Sequence, residues 1–213
     1  MEGPPPVTPD WGARAAALLP WVRRAMEGDA SGHDLAHVLR VRHLALRIAA
    51  AEGADPEVVE LVALLHDVES RAGRADHGGR GADTAAAWLA ESGAAPALIA
   101  EVCGAIADLS WSGGRSPATP AGRLVQDADR LDAMGAVGIA RAFAFGGAHR
   151  RSPGLPAPGL GAAHGNTMAH FEEKLLRLAE SLHTETARQL ASARHAFLLE
   201  FLRRAEAEAE GRE

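Results

Sequence analysis

Apolar residues recur at helical spacing along most of the chain, and the breaks between runs carry proline, glycine and capping side chains. After a Pro-rich start, Asp10 can cap a helix reaching about Met26, bent or broken near Pro20, and Gly28 to Gly32 make a turn. The next helix is expected from near Asp34 to Gly53, with His37, Val41, Leu44 and Ile48 on one stripe, so that His37 points where the apolar residues point. Asp55, Pro56 and Glu57 form a strong helix start. The run that follows, Val58, Val59, Leu61, Val62, Leu64 and Leu65, would bury most sides of its helix and ends on His66 and Asp67. Two polar groups at the end of a core helix cost free energy unless they find hydrogen-bonding or metal partners.

Further helices are expected over 82–92 and 96–108, then from Thr119 and Pro120 through VQDADRLDAMG, over AVGIARAFAF, over 168–180, and from a Thr184 cap onward. Phe171, Leu175 and Leu178 form one stripe, and Leu190, Phe197 and Phe201 are expected to face inward. The Gly-rich segment around Asp76 and His77 reads as a loop beside the core. A second loop, 146–165, holds His149, Arg150 and Arg151 beside glycines and is long enough to be a lid over polyphosphate or simply a solvated charge run. Asp129 and Asp132 lie three residues apart on a face shared with Val125, bringing carboxylates onto a packed side. There is no internal repeat. The expected layout is a flexible start over 1–9, one domain over 10–205 and a flexible acidic tail over 206–213.

Composition narrows the fold class to all-α: Ala, Leu, Arg and Glu abound, Tyr is absent and β-branched residues are sparse. The lone Cys103 excludes an intrachain disulfide and a thiolate zinc site. No window approaches the ~18 apolar residues of a membrane span, and no leader pattern opens the chain, so a cytoplasmic protein without membrane contact is expected. A net charge of −6 argues against nucleic-acid polymers as partners and leaves room for a local pocket for a small anion.

Any one of these polar residues has an ordinary structural role open to it, as a core histidine bonded to a carbonyl or a helix-end aspartate acting as a cap. Together, His37, His66, Asp67 and one of Asp127, Asp129 and Asp132 supply two imidazoles and two carboxylates. That donor set suits one divalent ion of the Mn, Mg, Fe or Co kind. Four protein ligands leave about two positions for a water and a phosphate oxygen.

GHDLAHVLRV at Gly32–Val41, LLHDVE at Leu64–Glu69 and VQDADRLDAMGAVGIAR at Val125–Arg141 resemble, in order, the motifs of the HD-domain metal-dependent phosphohydrolase superfamily. HFEEKLLRL at His170–Leu178 and TETARQLASARHAFLLEFL at Thr184–Leu202 resemble a compact single-domain bacterial subgroup. The resemblance implies an HD-type helical bundle in which His37, His66, Asp67 and Asp129 hold the metal. It also implies hydrolysis of a small phosphorylated substrate, a nucleotide above all, by nucleotide phosphatase or pyrophosphohydrolase chemistry. Asp129 is chosen by motif match, with Asp132 second and placed with Glu69 in the catalytic set. Glu69 either orients the attacking water or is a surface residue. Lys174, Arg130, His33 and Arg40 are the candidates for holding the substrate, each with a surface ion pair or turn cap as its plainer alternative. Leu109 stands where the subgroup pattern places a histidine, which favours a single metal. A non-catalytic metal- or nucleotide-binding sensor is the alternative function.

Overall fold

The structure is a computed structural model and describes residues 12–68, 77–109, 116–159 and 164–212, without the side chains of 77–79. Among these residues there are nine α-helices and no strands. They are α1 Ala13–Ala25, α2 Leu35–Glu52, α3 Pro56–Leu65, α4 His77–Glu91, α5 Pro96–Ala107, α6 Pro120–Asp132, α7 Gly135–Ala148, α8 Ala169–Glu173 and α9 Glu185–Ala209. Among the described residues no helix is long and apolar enough to cross a membrane.

Local chemistry accounts for the boundaries that place the site. The Asp34 carboxylate accepts from the His37 backbone N–H at 2.9 Å, which starts α2 and fixes His37 in its first turn. At the far end Gly53 takes the left-handed conformation (φ 70°) that closes the helix. Asp55 caps α3 through Glu57 N, and every residue from Val58 to Leu65 is buried. Such a helix is surrounded, and α1, α2, α5 and α6 all pack on it. α2 in turn contacts α3, α6 and α9. His37, the ends of α3 and α6 therefore converge in the middle of the bundle.

Several boundaries differ from expectation. α4 begins at His77, where a loop was expected, and Gly81 lies beside α5, with Ile106 Cγ2 3.4 Å from where a Cβ would stand. α7 continues through Gly146 to Ala148, and the segment that follows is pinned at its stem by Thr167 N to Ser152 O and Met168 N to Pro153 O. The helix expected over 168–180 breaks at Lys174 (φ −136°) into α8 and two 3-10 turns, Leu175–Arg177 and Ala179–Ser181. Phe171, Leu175 and Leu178 nonetheless all stay buried. Phe197 does not face inward: it is 48% exposed, and Leu198 is the buried residue. The buried line Ala187, Ala191, Leu198 of α9 places its inner face one residue away from Phe197, while Phe201 stacks on Phe171. The stretch 206–209, expected in a flexible tail, continues α9, with Ala207 buried.

Candidate metal centre

The end of α3 places the first ligand candidate. His66 is its C-cap, and its Nδ1 donates to the Ala63 carbonyl at 2.8 Å, satisfying one of the helix's last acceptors. His37 Nδ1 donates to Asp132 Oδ2 at 2.8 Å. Each ring therefore carries a proton on Nδ1, and in the neutral imidazoles the two Nε2 atoms, 3.3 Å apart, face one another as lone pairs. Two acceptors at that separation repel unless a cation stands between them.

Carboxylates complete the same point. Asp129 Oδ1 lies 3.6 Å and Asp67 Oδ2 3.7 Å from His37 Nε2. Asp67 Oδ2 is buried without a hydrogen-bond partner, a costly state for a carboxylate oxygen and one that a metal relieves. Donor atoms of His37, His66 and Asp129 lie within 4.8 Å of one another, as a shared ion requires. Nitrogen and oxygen donors without thiolate match a divalent ion of the Mn, Mg, Fe or Co class. Desolvation works against ionisation of Asp129, but the surrounding His37, His66, Arg141 and Lys174 outweigh it and hold its carboxyl below the usual range.

The three aspartates of α6 have separate surroundings. Asp127, fully buried, accepts from His183 N, Thr184 N and Thr184 Oγ1 at 2.8–2.9 Å, so it ties down the start of α9. Asp132 lies against the opposite edge of His37 from the ligand cluster. Its side chain is 2% exposed and also accepts from Arg40 Nε at 2.7 Å, Arg40 NH2 at 3.0 Å and Arg141 NH1 at 3.1 Å. Burial raises its pKa, yet these bonds and charges carry it well below the ordinary carboxylate range. A carboxylate behind a ligating histidine fixes both its tautomer and its orientation. Asp129 alone of the three stands with His37 and His66.

The other candidates divide. Lys174 and Arg130 line a small pocket with Asp129, Leu109, Gln126, Ala133 and Leu178. Arg130 NH1 also donates to the Ser181 carbonyl. Gln126 donates to the Leu109 carbonyl at 3.2 Å, which turns its oxygen to accept from His183 Nε2 at 2.7 Å. Arg40 is engaged with Asp132 in a two-pronged bond. His33 stands edge-on to His37 with ring centroids 5.7 Å apart. Because the Ser31 hydroxyl donates to Asp29, His33 Nδ1 must donate to Ser31 Oγ, which leaves its Nε2 an acceptor. Burial, with Arg141 and His37, pushes the His33 pKa down against the opposing pull of Asp67 and Asp129. His149 lies outside this group, stacked on Phe145 with centroids 4.0 Å apart. Glu69 falls outside the described residues. Arg141 closes the motif that carries Asp129 and had no role from sequence alone; its Nε donates to the Gly32 carbonyl, 109 positions away.

A helical bundle that brings His37, the His66–Asp67 doublet and Asp129 to one point is the arrangement of an HD domain, and the chain belongs to the HD-domain family, whose profile matches residues 34–134. Its relatives include a predicted HD superfamily hydrolase from an uncultured Thermotogales bacterium, 32% identical with a TM-score of 0.65 over 91% of each chain. The chain is 38% identical over 209 residues to the uncharacterized protein YpgQ of Bacillus subtilis strain 168, covering 93% of this chain and 95% of that one. A crystal structure of B. subtilis YpgQ in complex with ADP superposes with a TM-score of 0.74 at 36% identity, covering 93% of this chain and all of the other. An HD-superfamily hydrolase from Bacillus thuringiensis gives a TM-score of 0.74 at 34% identity, over 92% of this chain and 97% of its own.

Proposed function

We propose that this protein is a metal-dependent phosphohydrolase acting on a small phosphorylated substrate, a nucleotide above all. The observation that carries the reading is the pair of opposed Nε2 lone pairs of His37 and His66, with the partnerless Asp67 Oδ2 beside them. His37, His66, Asp67 and Asp129 would hold one divalent ion. When bound, such an ion lowers the pKa of water and offsets charge on phosphoryl oxygens.

The chain's own residues supply the rest. Asp132 holds the His37 tautomer that turns Nε2 toward the ion. Lys174, at the break after α8, lines the pocket beside Asp129 and offsets the negative charge of a phosphoryl group there. Arg130 shares that pocket, and its bond to the Ser181 carbonyl holds the guanidinium in place. His33 Nε2, an acceptor, suits a water or a substrate hydroxyl, and it meets a phosphate oxygen only when protonated. The ADP bound by a YpgQ structure at 36% identity supports a nucleotide as the substrate class.

The test is a panel of nucleotides with manganese-loaded protein, phosphate and pyrophosphate being measured separately, alongside Asp67→Ala. The wild type is expected to release one of the two products. Asp67→Ala is expected to lose metal content and hydrolysis together while keeping its helical circular dichroism. Full hydrolysis by Asp67→Ala would refute the reading; nucleotide binding with no product over hours would make the protein a sensor.

A further inference from the structure

We infer that Arg141 is a positioning residue of this site, holding the carboxylate behind His37 and the turn before His33 in one grip. The inference rests on the metal-centre reading above. Arg141 stands on α7, and its side chain is 14% exposed. Nε donates to the Gly32 carbonyl at 2.9 Å, and NH1 donates to Asp132 Oδ2 at 3.1 Å. One planar guanidinium thus joins three parts of the fold: α7, the end of α6 and the turn leading into α2.

Both partners of Arg141 pass directly to an imidazole. Asp132 Oδ2 accepts the His37 Nδ1 proton at 2.8 Å, so the placement of this oxygen decides where His37 Nε2 points. Arg40 also holds Asp132, but it belongs to the same helix as His37 and is 36% exposed, so it moves with the ring it would orient. Arg141 fixes the carboxylate from a different helix. On the other side, Gly32 has φ +89°, and a Cβ there would stand 3.3 Å from Arg141 Cγ. Glycine at this position lets the arginine stem lie against the turn and allows the backbone its left-handed conformation. Within that turn the Asp29 carboxylate accepts from Ser31 N at 2.7 Å and His33 N at 3.1 Å. The Gly32 carbonyl, joined to the His33 N–H, is the one that Arg141 takes, and the ring of His33 then rests edge-on to His37.

A lysine cannot copy this grip. The bond to Gly32 comes from the inner nitrogen of the guanidinium, where lysine has only methylene, so Arg141→Lys keeps the charge near Asp132 and loses the turn. Arg141→Gln loses both. The experiment uses the full chain, first metal-free and then titrated with manganese chloride, with 15N spectra reporting the tautomers of His33 and His37. Arg141→Gln is expected to weaken manganese binding about tenfold or more, the usual effect of losing an outer-shell partner. It should also mix the His37 tautomers in the metal-free protein, with helical content unchanged. Arg141→Lys should shift the His33 resonances while leaving His37 on Nδ1–H, with a smaller loss of affinity. Manganese affinity within twofold of wild type in Arg141→Gln, together with an unchanged His37 spectrum, would overturn the inference. If the wild type itself takes up none of manganese, magnesium, iron(II) and cobalt, the metal-centre reading fails, and the His37 spectrum of the metal-free variants still decides whether Arg141 orients the ring.

Discussion

Asp127 and Asp129 stand two residues apart in one motif, and their surroundings predict opposite consequences of removing them. The Asp127 carboxylate is fully buried and accepts three hydrogen bonds at 2.8–2.9 Å, from His183 N, Thr184 N and Thr184 Oγ1. The same Thr184 hydroxyl oxygen caps α9 by accepting from Ala187 N at 3.2 Å. Asp127→Ala would therefore strip two backbone donors at the start of the longest helix and release the capping hydroxyl. A hydrogen bond to a charged acceptor contributes about 1.5–3 kcal/mol, and these donors are close enough to the surface to regain some water, so the low end applies. Three such bonds lead to a loss of about 4 kcal/mol. With a urea m-value of about 3 kcal/mol/M, the unfolding midpoint should fall by about 1.3 M.

Asp129 has no such bonds; its side chain is 46% exposed, and His37 Nε2 stands 3.6 Å away. Asp129→Asn is expected to change stability by under about 1 kcal/mol, the usual range for a residue outside the core network. It should abolish manganese binding, whereas Asp127→Asn should bind manganese as the wild type does. The assay is urea unfolding of metal-free protein followed by far-ultraviolet dichroism, paired with manganese titration of each folded variant. A midpoint drop below about 0.3 M in Asp127→Ala, or loss of manganese from Asp127→Asn with stability intact, would refute this division of roles.

Two further outcomes follow from buried charge. The His183 pKa is lowered by burial, with Arg130, Arg123 and Arg188 adding to the effect and Asp127 opposing it. Below about pH 6.5 the unfolded chain takes up a proton that folded His183 does not, so stability is full above that pH and falls as the solution is acidified. Urea midpoints of metal-free protein should drop between pH 7.5 and 5.5, less steeply in His183→Gln; an identical slope in that variant would remove His183 from the account. Glu60 and Arg42, each 4% exposed, form an ion pair between α3 and α2, and Glu60 also accepts from Gly12 N at 3.3 Å. Glu60→Leu should cost about 3–5 kcal/mol by leaving the guanidinium without its carboxylate, and adding Arg42→Met should recover much of it. A cost under about 1 kcal/mol for the single change, read from the same urea curves, would mean that the pair is not holding α1, α2 and α3 together.

What could be read from the chain alone follows the range over which each feature is determined. Asp34, Gly53, Asp55, Pro56 and Thr119 act on the backbone within three or four residues of themselves, so the bounds of α2, α3 and the start of α6 follow from sequence. The same short range delivers His37 to a buried stripe and His66 to the end of a surrounded helix. Other features answer to parts of the chain far away. The break at Lys174 has no glycine or proline to announce it, and Phe197 and Leu198 differ only in which one meets the neighbouring helices. Asp129 and Asp132 are the sharpest instance. Three residues turn a helix by about 300°, leaving the two side chains about 60° apart. Helical period alone therefore assigns them to one face. What separates them is the approach of Arg40 from α2 and Arg141 from α7, which encloses Asp132 behind the ring of His37 and leaves Asp129 in front of it. Groups that would hold a metal come from the ends and first turns of individual helices, and local pattern finds them. Groups that aim those ligands come from helix crossings, so their roles appear only once the helices are placed together.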